Sequence, residues 1–172
     1  MTLPISTTIT RILRLQAQDN QPMRMFRAVE EACRDRFGFR LLTVLAYDPQ
    51  RNDTWRAYSS DPQNYPRRAR KPMGVTQWGQ RVLHERKSWF GNGPEDIRWA
   101  YPDADLILSL GCEATANAPI VWNGRTLGAL SINGSGEAYR PQMLGELELL
   151  ASLLVAAMRD LDGCPSGHAA AG

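Results

Sequence analysis

Lysine is nearly missing from this chain: Lys71 and Lys87 are the only two among 20 basic residues. Eighteen acidic residues leave a net charge of +2, too small for the one-signed surface that nucleic acid or an anionic membrane selects. Histidine is as scarce. His84 stands beside Glu85, Arg86 and Lys87 on a polar helical face, and with no second histidine nearby and no clustered thiolates, no metal site is expected. The three cysteines, Cys33, Cys112 and Cys164, cannot all pair within one chain and show no CxxC spacing. That excludes a disulfide framework and a zinc knuckle. The sequence has no phosphate loop of the GxxxxGK[ST] type, so ATP hydrolysis is not suggested. No apolar run approaches the ~20 residues of a membrane span. The first residues, Met1-Thr2-Leu3-Pro4, lack the basic-then-apolar pattern of a secretory leader. A cytoplasmic protein with no nucleic-acid or membrane partner and no cofactor is the expectation.

What the sequence does have is a core. Of 172 residues, 43% are hydrophobic, enough for one domain with tails. The clearest local signal is Asn123-Gly124, set between Ala116–Trp122 and Arg125–Asn133. Both turn residues favour φ > 0, which predicts a tight β-hairpin. Leu41–Tyr47 and Thr54–Ser60, joined by the turn-rich Asp48–Asp53, predict a second hairpin. Ile5, Ile9, Ile12 and Leu13 mark a first helix. Met23, Phe26, Val29, Cys33 and Phe37 mark a second, with Pro22 at its start and Gly38 as its left-handed cap. Residues 60–74 form a long loop containing Pro62, Pro66 and Pro72. Beyond it, Val75–Lys87 reads as a helix with Val75, Trp78, Val82 and Leu83 as its apolar side. Ser88–Phe90 reads as a short strand, and further short helices are expected from Pro94 and from Asp103. Pro141–Leu161 reads as one long helix whose apolar arc, through Leu149, Leu150, Leu153, Leu154 and Val155, exceeds what a single core face requires. A second buried face points either to a homodimer joined through the terminal helices or to packing on the chain's own first helix. The expected organisation is an N-terminal helical extension over 1–22, a domain over 23–161 and a mobile tail over 162–172.

Several segments in this order resemble a GAF domain: Leu41–Tyr47, Trp78-Gly79-Gln80-Arg81-Val82, Ala118-Pro119-Ile120-Val121 with Asn123-Gly124, and Leu127–Ile132 before the helix that follows Pro141. Two further segments, Tyr58–Pro66 and Leu108–Glu113, are similar to those of small stand-alone bacterial GAF proteins. The resemblance implies an α+β, GAF/PAS-like fold. Its antiparallel sheet would carry the N- and C-terminal helices on one face, with loops and short helices forming a pocket on the other. It also implies a sensory or regulatory role through an unidentified small molecule.

The candidate ligand-binding residues are Tyr65, Arg70, Lys71, Trp78, Trp89, Trp99, Tyr101, Cys112, Glu113 and Asn117. The tryptophans and Tyr101 suit an apolar or cationic guest, and the guanidinium of Arg70 and the ammonium of Lys71 suit an anion. Core packing explains tryptophans equally well, and a solvated loop explains most of the basic run from Arg67 to Lys71. Cys112 resembles in position a cysteine of the GAF-type free methionine-R-sulfoxide reductases. Their chemistry needs a second thiol and carboxylates around the substrate. Here Trp78 stands about where the partner thiol is expected, Pro119 replaces one acidic residue, and Ser131 and Asn133 replace an acidic pair. No catalytic residue is therefore assigned, and the alternatives are thiol-dependent reduction of a small sulfoxide through Cys112 and a dimerisation module without ligand.

Overall fold

Asn123 and Gly124 adopt φ of +49° and +71°, the conformation a two-residue hairpin turn demands. They join β5 (Ala114–Trp122) to β6 (Arg125–Gly134), with Trp122 opposite Arg125. The computed structural model describes residues 3–67, 70–137 and 139–163. It places this hairpin in a six-stranded antiparallel sheet in which β6 is one of the two central strands. The other strands are β1 (Leu41–Asp48), β2 (Asp53–Ser59), the two-residue β3 (Lys71–Pro72) and β4 (Trp89–Asn92). Their spatial order is β3-β2-β1-β6-β5-β4.

Side-chain alternation gives the sheet two different faces. Leu42, Val44, Ala46, Ala114, Ala116, Ala118, Ile120, Leu130 and Ile132 point to one side and are buried against helices. Those helices are α1 (Ile5–Leu15), α2 (Met23–Phe37), α5 (Leu144–Ser152) and α6 (Val155–Gly163). Ile12, Met25, Phe26, Leu147, Leu150 and Leu154 are fully buried in this layer. The opposite face carries Thr43, Thr115, Asn117, Ser131 and Asn133, all buried. A polar row under cover needs hydrogen-bond partners or a cavity. The cover comes from the middle of the chain: a helical turn near Trp78, α3 (Pro94–Ala100) and α4 (Ala104–Ser109). The expected placement of terminal helices on one face and middle segments on the other is what the structure shows.

Two expected helices are corrected. The one expected over Val75–Lys87 is shorter and contains a π-helical stretch, Gly79–His84. Thr76 sets its start, accepting the Gly79 N–H on its hydroxyl at 2.9 Å. Val75 therefore lies outside it and is fully exposed. Arg86, at φ +58°, ends the segment. The long helix after Pro141 is broken: a 3-10 turn (Pro141–Met143) leads into α5, and α6 departs at 50°. At the break the Leu154 N–H bonds the Ala151 carbonyl, three residues back. The Ser152 hydroxyl donates to Leu149 O at 2.7 Å, an arrangement that draws helices out of line. The bend explains the wide apolar arc. Leu150, Leu153 and Leu154 are all buried within this chain, and Leu149 alone of the leucines in that arc is exposed. Gly38 ends α2 at φ +62°, ψ +151°, outside the left-handed helical region expected for it. Among the described residues no single helix is long and apolar enough to cross a membrane. The expected tail, apart from Asp162 and Gly163 at the end of α6, lies outside the described residues, as does Cys164.

Candidate functional site

Between the polar sheet face and its cover lies a cavity of about 280 Å³. Its floor is Thr43 and Leu45 from β1, Thr54 and Arg56 from β2, and Ser131 from β6. Its walls are Tyr65, Met73 and Thr76 from the long loop, Trp78, and the linker Ala100-Tyr101-Pro102-Asp103 between α3 and α4. Lys71 and Pro72 of β3 and Trp55 of β2 complete the lining.

A bulge in β2 sets this geometry. Val44 pairs with Tyr58, but Leu45 pairs with Arg56, so Ala57 is an extra residue. Tyr58 consequently faces the helices, stacking on Phe26 at 5.3 Å, while Arg56 turns to the cavity side. Its guanidinium lies 3.4 Å from the centroid of the Tyr65 ring. It donates to Pro66 O at 2.6 Å and to Asp103 at 3.4 Å. The same Asp103 carboxylate accepts the Tyr65 hydroxyl at 2.8 Å. Burial, with the Asp103 charge, pushes the Tyr65 phenol above its ordinary range, so it stays a donor.

The β5–β6 side of the hollow is filled. Tyr101 places its hydroxyl 2.8 Å from Thr115 Oγ1 and donates to Asn117 Oδ1 at 2.8 Å. Asn117 also accepts from Ser131 at 2.7 Å and donates to Thr115 at 3.1 Å. Burial raises the Tyr101 phenol, and hydrogen bonds from this cluster, Thr115 foremost, pull it partly back. Among the described residues two buried polar atoms in this layer lack a partner, Trp78 Nε1 and Asn133 Oδ1.

Of the residues expected at a site, Tyr65, Lys71, Trp78 and Tyr101 line the cavity, and Asn117 lies behind Tyr101. The others stand apart from the lining. Arg70 is turned outward, 3.1 Å from Asp48 and 4.0 Å from the centroid of the Trp55 ring. Trp89 and Trp99 pack on each other with centroids 4.6 Å apart, and the indole of Trp99 donates to Gln77. Cys112 is buried in an apolar cluster with Leu41, Ile97, Ala104 and Ile107. Burial raises its thiol to about 11 despite the opposing Arg40 charge. Glu113 is exposed and accepts the Gly136 N–H at 3.4 Å. Arg67 is held by the Ala57 carbonyl at 2.7 Å, and Arg68 lies outside the described residues. Among the described residues no group of three histidine, cysteine or carboxylate side chains is placed to hold a metal ion.

Sequence reasoning missed Thr43, Thr54, Arg56, Asp103 and Ser131. The available signals were a lone threonine inside an apolar strand and an arginine inside a half-buried one. Only the bulge decides which way Arg56 points.

No curated protein matches this chain. Solved structures do. The GAF domain of a phosphoenolpyruvate-protein phosphotransferase from Coxiella burnetii is similar at TM-score 0.69 and 15% identity, covering 92% of this chain and 95% of that one. The phycocyanobilin-bound GAF domain of a cyanobacterial phytochrome is similar at 0.68 and 12%, covering 93% and 96%. A free methionine-R-sulfoxide reductase from Neisseria meningitidis, in complex with its substrate, is similar at 0.64 and 13%, covering 92% and 88%. At such identities these likenesses concern the fold alone. A family model described as GAF domain matches residues 23–159, from the start of α2 into α6. The chain belongs to the GAF domain family.

Proposed function

We propose that this GAF domain binds a small molecule in the cavity between β1, β2 and the α3–α4 linker, and that binding serves a sensory or regulatory, non-catalytic role. The cavity carries the reading. It is lined largely by aromatic and aliphatic groups with a few hydrogen-bonding side chains among them, the usual make-up of a ligand site. GAF domains are commonly small-molecule-binding sensory units, which agrees with it. Reduction through Cys112 is disfavoured because its thiol is buried, protonated and absent from the cavity lining. Binding would order the loop and linker walls, and β1 and β2, shared with the helical layer, would pass that change to the terminal helices. Two copies would pair through those helices, where Leu13 and Leu149 remain exposed. Native mass spectrometry of freshly purified protein, followed by denaturation, tests the reading. A released metabolite that restores thermal stability when added back is expected. Protein that carries nothing, and whose melting no metabolite library shifts, would overturn it.

A further inference from the structure

We propose that the cavity takes an uncharged, planar polar molecule on the order of a dozen non-hydrogen atoms, in the class of aromatic amides and free nucleobases. The inference rests on the cavity being a binding site and adds the chemistry of the guest.

Size comes first. A space of about 280 Å³ lies at the lower end of the roughly 300–1,000 Å³ range of small-molecule sites, which suits a guest of about a dozen non-hydrogen atoms.

Charge comes second. Arg56 and Asp103, the charged groups of the inner lining among the described residues, pair with each other, and Asp103 is further held by Tyr65. An ion brought in beside them would lose its water without gaining a counter-charge. Lys71, also on the lining, is exposed, so among the described residues no free cation stands at the deep end.

Shape and polarity come last. Tyr65, Trp78 and Tyr101 give the lining aromatic surfaces, which favour a flat guest. Thr43 and Thr54 line the floor, are 9% and 1% exposed, and have no side-chain hydrogen bond among the described residues. Neither hydroxyl is sealed off from the cavity, since neither is among the buried atoms without a partner. Leu45 lies between them on the floor. The floor therefore offers a hydrogen-bonding hydroxyl on either side of an apolar centre, and each can donate or accept. A planar molecule with polar groups at two ends matches that spacing.

The test uses the whole chain and four probes of similar size at neutral pH: nicotinamide and benzamide, uncharged, against nicotinate, an anion, and benzamidine, a cation. Calorimetry or ligand-observed NMR should find the amides at least about tenfold tighter than either charged probe. Thr43→Val should weaken amide binding by about fivefold, and Thr43→Ser should keep it near the parent value. A charged probe that binds as well as the amides, or a charged metabolite released from the purified protein, overturns the ligand class while leaving the cavity a binding site. Amide binding that is indifferent to Thr43→Val overturns the proposed contact with the floor. If no probe binds and no metabolite is released, both this inference and the reading beneath it fall.

Discussion

Single atoms decide several properties of this molecule. A Cβ added to Gly128 would lie 2.0 Å from the backbone oxygen of Leu45 and 2.8 Å from Met158 Cε. The first contact cannot be relieved without moving β1 away from β6. Gly128→Ala should cost about 1–3 kcal/mol of stability, read as a lower denaturant midpoint. An unchanged midpoint would mean that the strands separate more easily than their packing indicates. Cys112 makes the second case. With its thiol raised to about 11, only about 0.1% is thiolate at pH 8, three units below. Iodoacetamide should leave Cys112 unmodified in native protein and label it fully once urea is added, as peptide mass spectrometry would record. Rapid native labelling of Cys112 would return the redox reading to contention.

Elements differ in how openly the sequence declares them. Both hairpins were legible, because turn chemistry and strand alternation are local. Asn123-Gly124 marked one turn, although an extra residue at Leu127 shifts the register between Val121 and Ile120, and Asp48–Asp53 marked the other. In that second turn the Asp48 carboxylate accepts the Gln50 and Arg51 N–H groups at 3.0 and 3.3 Å, with Arg70 at 3.1 Å. Burial would raise its pKa, but these hydrogen bonds and the Arg70 charge outweigh it, so the folded value is lowered. The stability this contributes is present above the unfolded value of 3.8. It is lost as pH falls through the lower folded value. Asp48→Asn should therefore flatten the acid limb of the stability curve in that window, measured by urea melts from pH 5 to pH 2. The parent slope persisting in the variant would remove Asp48 from the account. By contrast, neither the α5–α6 bend nor the β2 bulge is written locally. The apolar pattern after Pro141 runs on through the break, and the 50° turn arises because Leu150, Leu153 and Leu154 all find cover inside the chain. The bulge at Ala57 reverses which residues of β2 face the cavity. That is why Arg56 was overlooked, while Arg70, nearby in sequence to the cavity wall, points elsewhere.

At the scale of the whole molecule, the sheet is a partition. Apolar residues on one side meet four helices, and polar residues on the other meet a thin cover. The two-sidedness was legible from the sequence. The position of the hollow was not, because it depends on which aromatic groups fill the space and which border it. Trp89 and Trp99 pack together away from the lining, whereas Tyr65, Trp78 and Tyr101 border it. On the helical side, Leu13 and Leu149 are 47% and 45% exposed. If two copies pair there, light scattering on the parent should give a mass near twice the 19.2 kDa of one chain, and the double variant Leu13→Glu, Leu149→Glu should give one. A parent that elutes as a single chain ends the pairing model.

Tyr101 acts as a stopper. Its ring reaches across to β5, so the vacant room above β1 and β2 ends where the phenol begins. Shortening that residue to alanine would extend the cavity toward β5, over Asn117 and Thr115. One side chain on a short connecting segment thus governs how large a visitor this scaffold admits, and paralogues that trade it for something smaller would be expected to welcome bulkier ones.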